Sequence, residues 1–227
     1  MRNSSSAILF LDIETVPLIY HFKDLDPQGK RLFELKMKSS IKHSELSVEQ
    51  LYEKAGIYAE FARVVCIGLA WYGRRGKTKT RKSKLIYGHN EIRLLYQFKN
   101  FLREEFPEGA ILCAHNGKEF DFPFLARRML IRGIPLPEEL QLQHKKPWEI
   151  QHIDTMDWWK FGDYKHFTSL ELLAHVFDLE SPKHSMSGDQ VAKAYWEDGN
   201  ISGIAAYCRA DVQVLMDVYE KLNISSN

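Results

Sequence analysis

The order of apolar segments is the feature that most restricts how this chain can fold. The run at 7–13 (AILFLDI) is apolar and partly β-branched and ends in charge, which predicts a buried strand. A second run at 63–71 predicts another strand, and after a basic, turn-like stretch residues 84–87 predict a third. Antiparallel strands can be joined by a short turn of this kind. We therefore expect an antiparallel side of a sheet.

From residue 91 onward the pattern changes to alternating helix and strand. Residues 91–105 predict a helix, 111–116 a short strand, 118–132 a helix, 153–156 a weaker strand, and 168–223 a mostly helical region. The apolar positions of the first helix recur at helical spacing: Ile92, Leu95, Phe98 and Leu102. Antiparallel strands followed by this alternation indicate an α/β fold with one mixed sheet flanked by helices.

Residues 17–60 do not follow this alternation, and we interpret them as a helical insertion after the first strand. A helix is predicted around Arg31–Lys38, and Ser47 and Gln50 have the spacing of a capping box that opens another. Two roles are open for the segment: a cap over a site, or additional packing. The 227 residues are enough for one well-cored domain, so we expect a single domain over 1–227 that includes this insertion.

Composition excludes several classes of protein. Three cysteines stand far apart without a C-x-x-C pair, which argues against a disulfide framework or a zinc cluster and favours buried thiols. No apolar run approaches the roughly 20 residues that span a bilayer, and the N-terminus does not have the pattern of a signal peptide. We therefore expect no membrane contact and a cytoplasmic location. The net charge of +1 neither supports nor excludes a nucleic-acid partner.

Two acidic residues end the first predicted strand. Asp12 and Glu14 are two positions apart, so in a strand they point to the same face about 6.6 Å apart. Carboxylates placed in this way repel each other unless cations lie between or beside them. The geometry suits two divalent ions about 3.5–4 Å apart, the arrangement used for phosphodiester hydrolysis. A solvated strand end is the alternative interpretation of this pair.

Further candidates lie near the predicted helices. Asp121 lies at a strand-to-helix junction, where the helix dipole favours a carboxylate, and a plain helix-terminal charge is the alternative. Tyr207 and Asp211 are four residues apart in the C-terminal helical region and so share one helix face. Asp211 has apolar neighbours in sequence, which disfavours the alternative that its carboxylate is simply exposed to solvent.

Three motifs occur in an order that resembles a known family. The segments LDIET, HNGKEFDFPFL and YCRADV are similar to the three exonuclease motifs of the DEDD superfamily. The resemblance is closest to the proofreading exonuclease domain of family B DNA polymerases and to stand-alone bacterial relatives of it. It covers most of the chain outside 17–60 and implies a ribonuclease H-like fold. Because the sequence contains no polymerase domain, we expect no proofreading in cis.

The resemblance assigns roles residue by residue. Asp12, Glu14, Asp121 and Asp211 match the four metal-site acids, and Tyr207 matches the tyrosine that marks one of the two branches of the superfamily. The other branch has a histidine five positions before the last acid, where this chain has an alanine. Asn116 matches a motif asparagine near the 3′-terminal nucleotide, and Thr15 and Phe120 are further candidate contacts to the substrate. Lys118, near the second motif, is a candidate contact to a phosphate, with a solvated lysine as the alternative.

The implied activity is 3′→5′ exonuclease hydrolysis of phosphodiester bonds, with two divalent ions, Mg²⁺ or Mn²⁺, as cofactors. The expected partner is a nucleic acid with a free 3′ end, preferably single-stranded, with DNA favoured over RNA. One alternative is an exoribonuclease or oligoribonuclease activity, because discrimination of the 2′-hydroxyl depends on the shape of the pocket. The other is a non-catalytic nucleic-acid-binding module on the same fold.

Two weaker signals remain open. The stretch Arg74–Lys84 contains seven basic side chains, which suits either contact with a phosphate backbone or an exposed hairpin tip. Trp158 and Trp159 suit base stacking, although we expect at least one of them to pack in the core.

Overall fold

The architecture is a mixed sheet with helices on both faces, as the apolar pattern predicts. The computed structural model describes residues 7–43, 45–75, 78–163, 167–179 and 186–223. Within these ranges one sheet contains five strands: β1 (Ala7–Pro17), β2 (Ala62–Arg75), β3 (Thr78–Tyr87), β4 (Ala110–Ala114) and β5 (Ile153–Asp154). Their spatial order is β3-β2-β1-β4-β5.

The direction of the strands divides the sheet into two halves. β1 pairs antiparallel with β2, and β2 pairs antiparallel with β3. β1 pairs parallel with β4, and β4 pairs parallel with β5. The central strand β1 therefore belongs to both halves, and residues near its carboxyl end lie between an antiparallel and a parallel neighbour. A mixed five-stranded sheet of this kind is the α/β architecture that the sequence indicates.

Helices occupy the connections and cover the sheet. In chain order they are α1 (Pro27–His43), α2 (Val48–Tyr52), α3 (Glu91–Glu105), α4 (Asp121–Ile131), α5 (Thr155–Lys160), α6 (Leu170–Val176), α7 (Val191–Trp196) and α8 (Ile201–Leu222). None of the helices within the described ranges is both long and apolar enough to cross a bilayer.

Alternation along β1 distributes its side chains to two cores. Leu9, Leu11 and Ile13 are buried in the same apolar cluster as residues of α3 and α4. Phe10, one position out of phase, is buried instead with residues of α8. Because successive strand residues point to opposite faces, Asp12 and Glu14 share the α8 face with Phe10.

A glycine allows α8 to approach the sheet closely. Gly68 lies on β2 directly opposite Asp12 of β1. A Cβ atom on Gly68 would lie 2.8 Å from the Cys208 Sγ atom and 2.9 Å from the Cys208 carbonyl oxygen. Any other residue at this position would therefore push the helix outward. The close contact places the turn of α8 that carries Tyr207 and Asp211 beside the acidic end of β1.

The segment between β1 and β2 forms a small core of its own. The predicted capping box is confirmed, since Ser47 Oγ accepts from Gln50 N and Gln50 Oε1 accepts from Ser47 N. The buried residues of this segment form one cluster: Phe22, Phe33, Met37, Leu51, Tyr52 and Ala55. It meets β1 near its carboxyl end, where Thr15 Oγ1 donates a 2.7 Å hydrogen bond to the Gly56 carbonyl. Additional packing is thus one role that the segment fulfils.

Some predicted boundaries differ from the observed ones for local chemical reasons. The strand predicted at 153–156 ends at Asp154, because the Asp154 carboxylate accepts from the backbone N–H groups of Met156 and Asp157 and starts α5. The helix predicted at 118–132 begins only at Asp121. Ile92 was predicted to face the core and is 46% exposed. The neighbouring Glu91 is buried in its place.

The burial of Glu91 has a clear physical basis. Its carboxylate accepts hydrogen bonds from Arg128 Nε and Nη2, from Arg132 Nε and from the Val64 backbone. These partners hold the pKa of Glu91 below its usual value despite the opposing effect of burial. A buried carboxylate with this many donors replaces an apolar contact between α3, α4 and β2.

Candidate metal centre

Asp12 and Glu14 form the base of an acidic site on β1. Glu14 is 7% exposed, and one ligand atom each of Asp12, Glu14 and Cys208 lie within 4.8 Å of one another. The pairing of β1 with β2 is irregular immediately after Glu14, where Glu14 faces Cys66 and Thr15 faces Val64. Such a bulge bends a strand and redirects the side chains beside it.

Asp121 joins this site from the first residue of α4. Its side chain is buried, and Asp121 Oδ1 accepts a 3.1 Å hydrogen bond from the Ile13 backbone N–H, the residue between the two β1 acids. The prediction that Asp121 lies in the first helical turn is confirmed. Burial raises the pKa of Asp121 to about 7, although hydrogen bonds from its own backbone and from Ile13 act in the opposite direction.

Tyr207 and Asp211 reach the same site from α8. The two side chains share one face of α8 as predicted, and the Asp211 carboxylate is near enough for its charge to act on the Tyr207 hydroxyl. Burial is the main cause that raises the pKa of Tyr207, and the charges of Asp211 and Glu14 add to it. The phenol is therefore neutral near pH 7, so it can donate a hydrogen bond but cannot act as a general base.

The electrostatics show that the four carboxylates interact. Burial raises the pKa of Asp12, and the nearby Asp121 and Asp211 carboxylates raise it further. Burial also raises the pKa of Glu14, followed by the charges of Asp12 and Asp211. Without a cation, the ionised forms of these acids are disfavoured both by loss of solvent and by mutual repulsion.

The site fits a divalent cation. Asp12 Oδ2 is buried and has no hydrogen-bond partner among the described residues. Buried carboxylate oxygens are normally hydrogen-bonded or bound to a metal. Hard divalent ions such as Mg²⁺ and Mn²⁺ prefer oxygen ligands of this type. Asp12, Glu14, Asp121 and Asp211 are the residues that would hold such ions.

The loop after β4 lies beside these acids in a constrained conformation. Asn116 has a φ of 63°, in the left-handed region, and its Oδ1 atom is buried without a hydrogen-bond partner among the described residues. A Cβ atom on Gly117 would lie 2.4 Å from the Ala114 Cβ atom, so this position requires glycine. The predicted strand at 111–116 accordingly ends at Ala114.

Asp154 holds this loop in place and was not among the predicted site residues. Its Oδ1 atom accepts a 2.9 Å hydrogen bond from Asn116 N, and its Oδ2 atom accepts a 3.1 Å hydrogen bond from Lys118 N. The side chain is 1% exposed. The sequence signal was an acid within the predicted strand at 153–156, since neighbouring parallel strands end at the same edge of a sheet.

The other predicted substrate contacts have partners within the protein. The Thr15 hydroxyl donates to Gly56, and Lys118 Nζ lies 3.4 Å from Asp157 Oδ2 in an ion pair. Phe120 is half-buried, packs against the core and lies 5.4 Å from the Phe124 ring. A second residue missed in the sequence is Cys208, whose Sγ atom donates to the Asp12 carbonyl at 3.5 Å. All three cysteines are buried and free, as predicted.

The two open sequence signals also find partners. Arg81, in the basic stretch, forms 2.6 Å ion pairs with Asp217 and Glu220 of α8. The glycine and lysine at 76 and 77 of that stretch lie outside the described residues. Trp159 packs against Phe177, as expected of one tryptophan, and Trp158, 37% exposed, lies 5.5 Å from the Tyr219 ring.

Comparison with known proteins agrees with this architecture. The chain is 22% identical over 208 residues to a DNA polymerase of Pyrococcus glycovorans. The matched region covers 83% of this chain and 26% of the polymerase. A structure of the family B DNA polymerase of the hyperthermophilic archaeon Pyrobaculum calidifontis matches with a TM-score of 0.60 and 16% identity, over 96% of this chain and 25% of that one. The chain thus spans about a quarter of the length of each polymerase.

A family model matches most of the chain directly. It is described as the RNase_H superfamily and covers residues 52–223. The match begins within α2 and includes β2 to β5 and α3 to α8. The chain belongs to the RNase_H superfamily.

Proposed function

We propose that this protein is a divalent-metal-dependent 3′→5′ exonuclease of the tyrosine branch of the DEDD superfamily. The observation that carries the proposal is the convergence of four acids, from β1, α4 and α8, on one partly buried point, where an Asp12 oxygen has no partner in the described structure. Sites with this charge arrangement bind metal ions for phosphodiester hydrolysis. The similarity to a quarter of a family B DNA polymerase supports the same assignment.

The assignment to the tyrosine branch rests on α8. Tyr207 shares a face of α8 with Asp211, whereas Ala206, at the position of the histidine in the other branch, is exposed. An alanine cannot accept a proton, so the Tyr207 hydroxyl is the group that can contact an attacking water from this helix. Because its pKa is raised, the Tyr207 phenol stays neutral, and its role is to position that water by a hydrogen bond.

The chain's own residues divide the remaining work. When bound, two divalent ions would supply Lewis acidity to the attacking water and to the leaving 3′ oxygen. Asp12, Glu14, Asp121 and Asp211 would hold those ions. The Ile13 N–H fixes Asp121 relative to β1, and Gly68 fixes the distance of α8.

The substrate is a nucleic acid with a free 3′ end, and we favour single-stranded DNA. The Asn116 side chain would contact the terminal nucleotide through its unpartnered Oδ1 atom. Phe120 would contact the terminal base from the half-buried position beside the core. Thr15 and Lys118 complete the proposed contacts, with Lys118 exchanging its ion pair with Asp157 for a phosphate.

The test is incubation of the purified protein, with Mg²⁺ or Mn²⁺, with 5′-labelled linear strands of DNA and RNA of the same sequence. We expect stepwise shortening from the 3′ end and release of nucleoside monophosphates, with DNA degraded faster than RNA. A strand blocked at its 3′ end and a circular single strand should both survive. The matched control is Asp211→Asn, which removes one proposed metal ligand.

Each other outcome supports a different function. Cutting of the circle at the rate of the linear strand would indicate an endonuclease. Faster degradation of RNA would indicate an exoribonuclease on the same site. Strand binding without cleavage under any metal condition would indicate a non-catalytic module.

A further inference from the structure

The thiol of Cys208 lies inside the acidic site. Its Sγ atom and one carboxylate oxygen each of Asp12 and Glu14 lie within 4.8 Å of one another. Cys208 is fully buried, and the glycine at position 68 leaves the space that the Sγ atom occupies between α8 and the sheet. The one hydrogen bond of this thiol to the Asp12 backbone is long, at 3.5 Å. The sulfur is therefore held beside the acids, with Cys66 as its neighbouring thiol.

A second observation points to a ligand at this position. The Glu14 side chain is more than nine-tenths buried and on the α8 face, and its carboxylate forms no hydrogen bond to any of the described residues. Asp12 Oδ2 is likewise unpartnered in the described structure. The Cys208 thiol is close enough to act on the Asp12 carboxylate as a donor, and the remaining Asp12 oxygen and the Glu14 carboxylate still need a cation for charge balance.

We propose that Asp12, Glu14 and the sulfur of Cys208 form a binding site for a thiophilic divalent cation, Zn²⁺ above all. Oxygen-preferring ions such as Mg²⁺ make little use of a sulfur ligand, whereas Zn²⁺ combines thiolate and carboxylate ligands in one tetrahedron. The centre thus has two modes: an all-carboxylate mode for Mg²⁺ or Mn²⁺, and a thiolate-containing mode for Zn²⁺.

The required rearrangement is small. Bond lengths of about 2.3 Å to sulfur and about 2.0–2.2 Å to oxygen place ligand atoms of a tetrahedral ion roughly 3.3–3.7 Å apart. The three ligand atoms, now within 4.8 Å, would have to close by about 1 Å. Binding removes the thiol proton to solvent and forms one Zn–S bond. Burial raises the pKa of the Cys208 thiol in the metal-free protein, and the charge of the cation reverses that preference.

This inference rests on the proposed function in that Asp12 and Glu14 would be shared by both modes. A zinc ion bound through Cys208 would occupy carboxylates that the catalytic ions need. We therefore expect zinc to inhibit cleavage in the presence of Mg²⁺, and the inhibition to depend on Cys208.

The primary test is a titration of the protein with Co²⁺, a spectroscopic substitute for Zn²⁺, without any nucleic acid. We expect a sulfur-to-cobalt charge-transfer band in the near ultraviolet that Zn²⁺ abolishes by displacement. Cys208→Ser should lose the band and should bind zinc at least about tenfold more weakly in competition with a chromophoric chelator, since even outer-sphere changes cost 10–100-fold. Circular dichroism checks that the variant is folded.

The other two cysteines provide matched controls. Cys113→Ala removes a buried thiol on β4 that is not part of this group, and it should keep the band. Cys66 lies close enough to hydrogen-bond with Cys208, so Cys66→Ala tests whether the neighbouring sulfur is the ligand instead. A band that persists in Cys208→Ser, or that disappears in Cys66→Ala alone, would overturn the proposal.

A measurement on the unaltered protein covers the case in which Cys208→Ser does not fold. Zinc K-edge X-ray absorption at one zinc per chain should show a single sulfur ligand at about 2.3 Å. A shell of oxygen and nitrogen ligands alone would contradict the inference. If Mg²⁺ supports cleavage but zinc has no sulfur ligand, the zinc site is refuted and the proposed exonuclease function stands. If zinc has a sulfur ligand but no strand is cleaved, the zinc site stands and the exonuclease function is refuted.

Discussion

The backbone N–H of Ile13 donates a 3.1 Å hydrogen bond to the Asp121 carboxylate, which joins two segments 108 residues apart in the chain. Ile13 lies between Asp12 and Glu14 on β1, and its side chain is buried in the core that α3 and α4 share. One residue therefore packs against one face of the sheet while its main chain orients an acid toward the other acids. Through this bond the position of α4 is coupled to the proposed metal site.

Removal of the metal is expected to abolish cleavage reversibly. The four acids repel one another without a cation. In the proposed mechanism the bound ions stabilise the leaving oxygen, so cleavage should stop when they are removed. Excess chelator should reduce the rate to background, and added Mg²⁺ or Mn²⁺ should restore it. The measurement is the initial rate on a 5′-labelled strand. Full activity in excess chelator would refute a metal-dependent mechanism.

Loss of a proposed metal ligand is expected to reduce turnover by several orders of magnitude with little change in fold. Asp12→Ala and Asp211→Asn should each displace a bound ion or prevent its binding, and a misplacement near 1 Å alone already lowers a rate about a hundredfold. Single-turnover rates at saturating metal measure this effect. The matched control is Asp217→Asn on the same helix, which removes an ion pair with Arg81 instead of a metal ligand. A near-normal rate of either site variant would show that the site is misassigned.

Tyr207→Phe is expected to have an intermediate effect. It removes one hydrogen bond and leaves the ring and all proposed metal ligands in place, so we expect a loss of about 1.5–3 kcal/mol, or roughly ten- to a hundredfold in rate. Single-turnover kinetics measure the change, and metal affinity should be similar to that of the unaltered protein. Tyr219→Phe on the same helix is the control, since Tyr219 packs against Phe10 away from the acids. An unchanged rate would reduce Tyr207 to a packing residue.

Asp121→Asn is expected to stabilise the metal-free fold while it abolishes cleavage. The pKa of Asp121 is raised to about 7, above an unfolded value of about 3.9, so the folded state binds the proton more tightly. The free energy of unfolding therefore falls as pH rises from about 4 to about 7 and stays low above that. At pH 8 the variant, which retains an oxygen to accept from Ile13, should be more stable by about 1–4 kcal/mol.

Urea denaturation at pH 5 and pH 8, in chelator, measures this difference. The gain should be large at pH 8 and small at pH 5, and added Mg²⁺ should reduce it because the ion stabilises the ionised site of the unaltered protein. Asp217→Asn, whose carboxylate is paired with Arg81, should show no such gain. A variant that is less stable at pH 8 would contradict the repulsion that we infer among these acids.

The sequence alone determined the elements and much of the candidate site. Periodicity near Asp12 identified the buried strand, because the alternation of a strand leaves a direct trace in the order of side chains. The spacing of four residues placed Tyr207 and Asp211 on one helix face, and the continuous helix α8 confirms it. Such features are local, and local geometry follows from consecutive residues. The assignment of four separate acids to one site came from the resemblance of three motifs and not from any spacing.

Tertiary structure decided which distant groups meet. Cys208 looked like one more buried thiol, and only the close approach of α8 at Gly68 brings its sulfur to Asp12 and Glu14. Asp154 lay within a predicted weak strand, yet its carboxylate holds the loop at Asn116. The partners of these residues lie on other elements, and the sequence contains no local record of how those elements pack. Burial, charge and hydrogen bonding at the site are consequences of that packing.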